Sequence, residues 1–391
     1  MGFAAAISQH PLATHAVGEV VGQVIEELGD QPDLAVVFVT GPFAGATEDI
    51  ARVVRQLLRP RALVGTTAVS VLAGSREIED RAAIVLFAAT WDGRLRVGSD
   101  GARAVRFEAA REGEGWRLTG TDDVAIDGAT LVLLADPFSF PVDGFLAELA
   151  DRAPGLTVVG GLASAAVGPG GNRLVADDVV SDRGAVGLFL PPGMAVRALV
   201  SQGCRPVGEP LVVTRGTGNL IEELGGRPAL DRVMEAAEAA TPSERSLMAR
   251  GLHVGLVLDE AKESFGPGDF LIRAVLGADR ATKAVAIGAD VEVGSTVQFQ
   301  VRDAASADHD LRQTLADDSS DGDGAARAAL VFTCNGRGTH LFGVDDHDAS
   351  VIQDHVDGGA TAGMFCAGEI GPVGARPFLH GFTASILLFD G

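Results

Sequence analysis

The chain has 391 residues, with 31 Lys and Arg against 53 Asp and Glu, and a formal charge of −22. That balance leaves no cationic surplus to neutralise phosphates. It excludes nucleic acid and an anionic membrane surface as organising partners. Hydrophobic residues make up 47% and aromatics 5%, with 51 glycines and no tyrosine, so a full core is available but must be built from Ala, Val, Leu and Ile.

The first residues, MGFAAAISQHPLATHAVG, lack a basic stretch before an apolar one and do not read as a secretory signal. Gly2 makes a poor myristoylation match, because Ala6 stands where Ser or Thr is needed. No run of 18 apolar residues spans a membrane. Cys204, Cys334 and Cys366 are too few and odd in number for a disulfide framework, so free thiols in a reducing, cytoplasmic setting are expected.

Along the chain one order of elements recurs three times. DLAVVFVTG (33–41) reads as a buried strand, ATEDIARVVRQLL as a helix, ALVGTTAVSVLAG (62–74) as a strand and turn, and AAIVLFAA (82–89) as a closing strand. TLVLLADP (130–137), VDGFLAELADR, LTVVGGLASAAVGPGG (156–171) and GAVGLFL (184–190) repeat it. AALVFTCNGRG (328–338), ASVIQDHV, GATAGMFCAGEIGPVG (359–374) and FTASILLF (382–389) repeat it again. The expected fold class is α/β, with repeated strand–helix–strand–turn–strand units forming mixed sheets covered by helices. Two domains are expected, 1–220 holding two units and 221–391 holding the third at 328–389. Between them, AVRALVSQGCRPVGEPLVVT reads as two strands, RPALDRVMEAAEAATPSERSLMARG as a helical run, and HVGLVLDE, FLIRAVLGAD, KAVAIGADV and STVQFQVRD as further strands.

Anchoring the three glycine-rich turns on Gly65, Gly160 and Gly363 without gaps puts Cys366 on Ala163 and Ala68. The same comparison puts Glu369 on Ala166 and Val71, and Gly371-Pro372 on Gly168-Pro169. The thiol and the carboxylate are therefore peculiar to the third unit. A carboxylate at an apolar position needs a partner.

VVGGLASAAVGPGGNRL, SQGCRPVGEPLVVT, FTCNGRG, GMFCAGEIGPVG and FLHGFTASI together resemble FIST proteins, from about residue 30 to the end. The resemblance implies a FIST N-terminal and a FIST C-terminal domain in a sensory module that binds small ligands such as amino acids. Because this chain shows no kinase, chemoreceptor or F-box segment, the signal would pass to a separate protein partner. No cofactor is implied.

The residues give candidate sites. In FTCNGRG, Cys334 and Asn335 end an apolar strand, where α/β sheets bind ligands. Gly336 and Gly338 allow backbone N–H groups to approach an anion, and Arg337 offers a two-pronged pair to a carboxylate. Cys366, Glu369 and His380 read as a polar pocket wall, and Arg205 after Cys204 as a further strand-end cation. In a competing thiol-enzyme reading, Cys366 or Cys334 is the nucleophile, His380 the base and Glu369 its orienter. A third reading is a protein-binding scaffold. GPGGN lacks the spacing and Lys-Ser/Thr of a phosphate loop. DDSSDGDG (317–324) reads as a solvated loop, and DDHD with His347 and His355 as a capping region before an exposed helix, with no zinc spacing.

Overall fold

The computed structural model describes residues 1–91, 101–112, 115–119, 128–262, 264–266, 268–320, 326–356 and 358–390. The chain divides into two compact units. The first comprises Met1–Val200, Thr314–Leu379 and Ala384–Gly391; the second comprises Ser201–Gln313 with His380–Thr383. Residue 220, where a boundary was expected, lies inside the second unit.

The first unit opens with β1 (Gly2–Ser8) and α1 (Ala13–Leu28). Then come β2 (Leu34–Thr40), α2 (Thr47–Leu57), β3 (Ala62–Ala68), the short hairpin β4 (Val71–Ala73) and β5 (Arg76–Ile78), and β6 (Ile84–Thr90). After β7 (Arg103–Glu112) and β8 (Gly115–Thr119) the order returns as β9 (Thr130–Ala135), α3 (Val142–Arg152), β10 (Thr157–Leu162), hairpin β11 (Leu174–Ala176) and β12 (Val179–Ser181), and β13 (Ala185–Leu190).

β14 (Val196–Gln202) leads to the second unit's β15 (Cys204–Thr217), β16 (Leu220–Leu224), β17 (Arg227–Pro228), α4 (Ala229–Ala239) and α5 (Pro242–Arg250). β18 (Leu252–Val257), β19 (Phe270–Ala278), β20 (Val285–Ile287) and β21 (Thr296–Arg302) complete its seven-stranded sheet. The predicted single helical run is two helices. Thr241 and Glu244 form a capping box that spans Pro242, which starts a new helix and cannot continue the old one.

α6 (Ala304–Ser320) precedes the third segment: β22 (Ala326–Cys334), α7 (Thr339–Phe342), α8 (His347–His355), β23 (Ala360–Cys366), hairpin β24 (Glu369–Val373) and β25 (Arg376–His380), and β26 (Thr383–Asp390). The acidic stretch expected as a solvated loop is helical as far as Ser320, and residues 321–324 lie outside the described residues. The side chain of its Asp318 is 3% exposed and is bound by Arg197 at 2.6 Å and His355 at 3.0 Å.

Three sheets share one plan. β2 runs parallel to β3, β9 to β10 and β22 to β23, while β6, β13 and β26 lie antiparallel on the other side of the first strand. The short hairpins do not stay in their own sheets. β11 pairs with β3, β24 with β10, and β4 with β23, so each sheet is extended by the hairpin of another segment in a closed cycle.

Gly65, Gly160 and Gly363 are each the fourth residue of the second parallel strand, not turn residues. A Cβ there would strike the carbonyl of Val37, Leu133 or Val331 on the strand alongside. Only glycine allows this approach.

Alternation along the strands divides the core. Val36, Phe38, Val64, Val132, Leu134, Val159, Leu188, Leu330, Phe332, Met364 and Leu387 point into one central cluster shared by all three sheets. The opposite faces lie under helices, with Val17, Val20 and Val24 of α1 and Ile50 and Val54 of α2 on the first sheet, and Phe145 and Leu149 of α3 on the second. Each fully buried Val, Leu or Phe contributes about 1.5–3 kcal/mol, so this shared interior holds the segments together.

Candidate functional site

The carboxyl ends of β22 and β23 carry most of the predicted site residues. Cys334 and Cys366 are register partners at the last positions of the parallel pair, and Asn335 N donates to Cys366 O at 2.8 Å. Beyond Cys334 the chain turns tightly. Arg337 N donates to Cys334 O at 2.9 Å, Gly336 N lies 3.5 Å from Cys334 Sγ, and Gly338 has a left-handed φ of 62°. Asn335 is exposed, whereas Arg337 is 1% exposed and Cys366 and Glu369 are 0% exposed.

Arg337 was expected to grip a ligand carboxylate in a two-pronged pair. The protein itself supplies that carboxylate. Arg337 Nε donates to Asp348 Oδ2 at 2.6 Å and Nη2 to Asp348 Oδ1 at 2.9 Å. Thr333 Oγ1 donates to Asp348 Oδ2 at 2.7 Å, and His347 Nδ1 lies 3.0 Å from Oδ1. Phe342 stacks on His347 with centroids 3.4 Å apart, and the guanidinium sits 5.1 Å from the Phe342 ring. Burial works against the charge on both partners, but their mutual attraction and hydrogen bonds outweigh it. The Asp348 carboxyl is held well below its usual range and Arg337 is raised. The Arg337 Nη1 is buried and has no hydrogen-bond partner among the described residues.

Glu369 opens β24 and is the register partner of Gly161 on β10. The residues at the same place in the other hairpins are Val71, opposite Met364, and Leu174, opposite Thr66. This corrects the ungapped comparison, which put Ala166 there. The link from β10 to its hairpin is longer, and Gly168-Pro169 belongs to the extra loop. Val71 and Leu174 lie in the central apolar cluster, so Glu369 brings a carboxylate to an apolar position. It is within electrostatic reach of both Arg337 and Cys366.

Cys366, Ala68 and Ala163 all lie in that cluster, each fully buried. Burial, then the charges of Glu369 and Cys334, push the Cys366 thiol well up.

Arg205 and His380 belong to the second unit. Arg205 Nε donates to Asp303 at 2.8 Å and Nη1 to Glu244 at 3.1 Å. His380 is 3% exposed.

Several partners escaped the sequence reading. Asp348 had been taken as part of a helix cap, and α8 as exposed. In fact Asp348, Ala349, Val351 and Ile352 are buried. The apolar spacing of ASVI pointed to an inward face. Glu77 and Glu79 carried no sequence signal, because they reach the site only through the exchanged hairpin.

The chain matches the FIST N domain over residues 33–227 and the FIST C domain over residues 229–372. The chain belongs to the FIST family. Its relatives include an uncharacterized protein of Mycobacterium bovis, 44% identical over 382 residues, covering 97% of this chain and 96% of the relative. An uncharacterized protein of Mycobacterium tuberculosis is 43% identical over 386 residues, 98% of each. In FIST terms, two of the three exchanged hairpins join the two matches: β24 of the FIST C match pairs with β10 of the FIST N match, and β4 of the FIST N match with β23 of the FIST C match. No described helix is long and apolar enough to cross a membrane.

Proposed function

We propose that this FIST protein is a cytoplasmic small-ligand-binding sensory module, with the ligand entering at the carboxyl ends of β22 and β23 and the signal passing to a separate protein. The contacts would come from the exposed Asn335 and, behind it, from the buried Cys334, Arg337, Gly338, Cys366 and Glu369. The observation that carries this reading is Arg337. Two of its nitrogens are committed to Asp348, while the buried Nη1 has no hydrogen-bond partner among the described residues, so it offers a charge-assisted donor to an entering acceptor.

The thiol-enzyme reading is weakened by Cys366 itself. A nucleophilic thiol needs a depressed pKa and access, and this thiol has the opposite of both.

The test is a thermal-shift screen of amino acids and related metabolites. A ligand at 100 times its dissociation constant adds roughly 2.7 kcal/mol of apparent stability. The shift should shrink in Glu369→Gln and Asn335→Ala, which keep the fold. A ligand whose shift is the same in both variants binds elsewhere, and the strand-end site then fails.

A further inference from the structure

The hairpin β4–β5 of the first segment docks on the third through a set of polar contacts that converge on two carboxylates. Glu77 Oε1 accepts from Ala349 N at 2.9 Å, and Glu77 N donates to Asp346 Oδ1 at 2.6 Å. Just past the hairpin, Glu79 accepts from Thr339 N at 2.9 Å and from Thr339 Oγ1 at 2.8 Å. Ser350 Oγ adds a contact to Ser75 O at 3.4 Å. Glycine suits position 338, because φ is +62° and a Cβ would crowd Glu79 Oε1 at 2.7 Å and the Phe365 ring at 2.9 Å. The hairpin therefore rests on the loop that carries Arg337.

Glu77 differs from Glu79 in what surrounds it. It is 8% exposed, and its Oε2 is buried with no hydrogen-bond partner among the described residues. The charged groups around it are Asp346, His347 and Asp348 at the start of α8, Arg337 in the loop before α7, and Arg76, Glu79 and Asp80 along its own stretch of chain. Arg337 and His347 are already engaged by Asp348, and Arg76 donates to Gln9. Asp348 is fixed as an anion by Arg337. What Glu77 meets is therefore a permanent negative charge with little water to screen it.

We propose that β4–β5 is a pH-sensitive clasp, which grips the third segment when Glu77 carries a proton and loosens when that proton is lost to solvent. Burial first, and Asp348 second, push the Glu77 carboxyl up to about 7 against its ordinary 4.5. The docked state thus binds a proton that the released state gives up. Docking is strongest below pH 4.5, weakens steadily between pH 4.5 and 7, and is constant above.

Deuterium uptake of peptides covering residues 71–80 and 345–352, corrected for intrinsic exchange, tests this at pH 5.5 and pH 8 on the full chain. With these two pKa values the opening equilibrium should rise on the order of twentyfold between the two conditions. Glu77→Gln and the apolar Glu77→Met should both abolish the pH effect. Glu79→Gln, which alters the same clasp at its other carboxylate, should retain it. A wild-type chain with no pH-dependent uptake in these peptides overturns the proposal whatever the variants do, and so does a Glu77→Gln chain that keeps the wild-type response.

Discussion

Gly161 and Cys366 are made for one another: a Cβ on Gly161 would run into Cys366 Sγ and would stand 3.1 Å from its Cβ. The two residues belong to different segments and meet where β10 accepts the hairpin of the third. Gly161→Ala should therefore destabilise the protein by about 1–3 kcal/mol through overpacking. Cys366→Ala alone should cost roughly 1 kcal/mol, because it leaves a small cavity at a place where Ala68 and Ala163 serve the other segments. The double variant should be more stable than the sum of the two losses predicts. Urea denaturation of the four proteins reads this coupling, and strict additivity would refute the contact.

Asp348→Ala leaves a fully buried guanidinium without its counter-ion and should cost about 3–5 kcal/mol in chemical denaturation. Removing both partners, as in Arg337→Met with Asp348→Leu, should cost much less than the two single losses combined. A loss under 1 kcal/mol for Asp348→Ala would show that the pair does not hold the loop.

Cys366 should resist alkylation in the folded protein at pH 8 and react only after unfolding. Burial both blocks the reagent and keeps the thiol protonated. Mass spectrometry of iodoacetamide-treated protein, native and denatured, checks this. Rapid native labelling at Cys366 would restore the thiol-enzyme reading.

In the second unit, His253 is 4% exposed, and burial first, with the charge of Arg302 second, brings its pKa down to about 4 from 6.5. The unfolded chain takes up this proton before the folded one does. His253 thus contributes full stability above pH 6.5, and that contribution is lost progressively as the pH falls to 4. The span is roughly 3 kcal/mol at most. His253→Gln should flatten the acid limb of the stability curve. An unchanged acid limb would mean that the ring is not buried neutral.

The parallel pairs and their helices were legible because long apolar runs and a 3.6-residue period carry their own signal: α3 was read as residues 142–152 and is Val142–Arg152. The special character of Cys366 and Glu369 was also readable, by comparing segments. The hairpin exchange was not. Strands of three residues, such as Val71–Ala73, have no period, and their partners lie far away in sequence. The true match of Glu369 with Leu174 was hidden by the longer loop after β10. Arg337 was picked out for its place between two glycines, but its counter-ion sits on a helix whose buried acid resembled an ordinary cap.

The exchanged hairpins also set a timetable. Val71–Ala73 leaves the ribosome long before Ala360–Cys366, the strand it pairs with, has been made. At 5–20 residues per second that interval is on the order of fifteen seconds to a minute. The third sheet also needs Thr383–Asp390, which pairs with β22 and is made later still. A nascent chain therefore carries an unhoused β-edge until β23 has been made, and a product cut short before β23 strands the hairpin permanently. Truncated chains should be chaperone-bound or degraded, because a FIST N segment made alone lacks both the sheet that receives β4–β5 and the hairpin that completes β10.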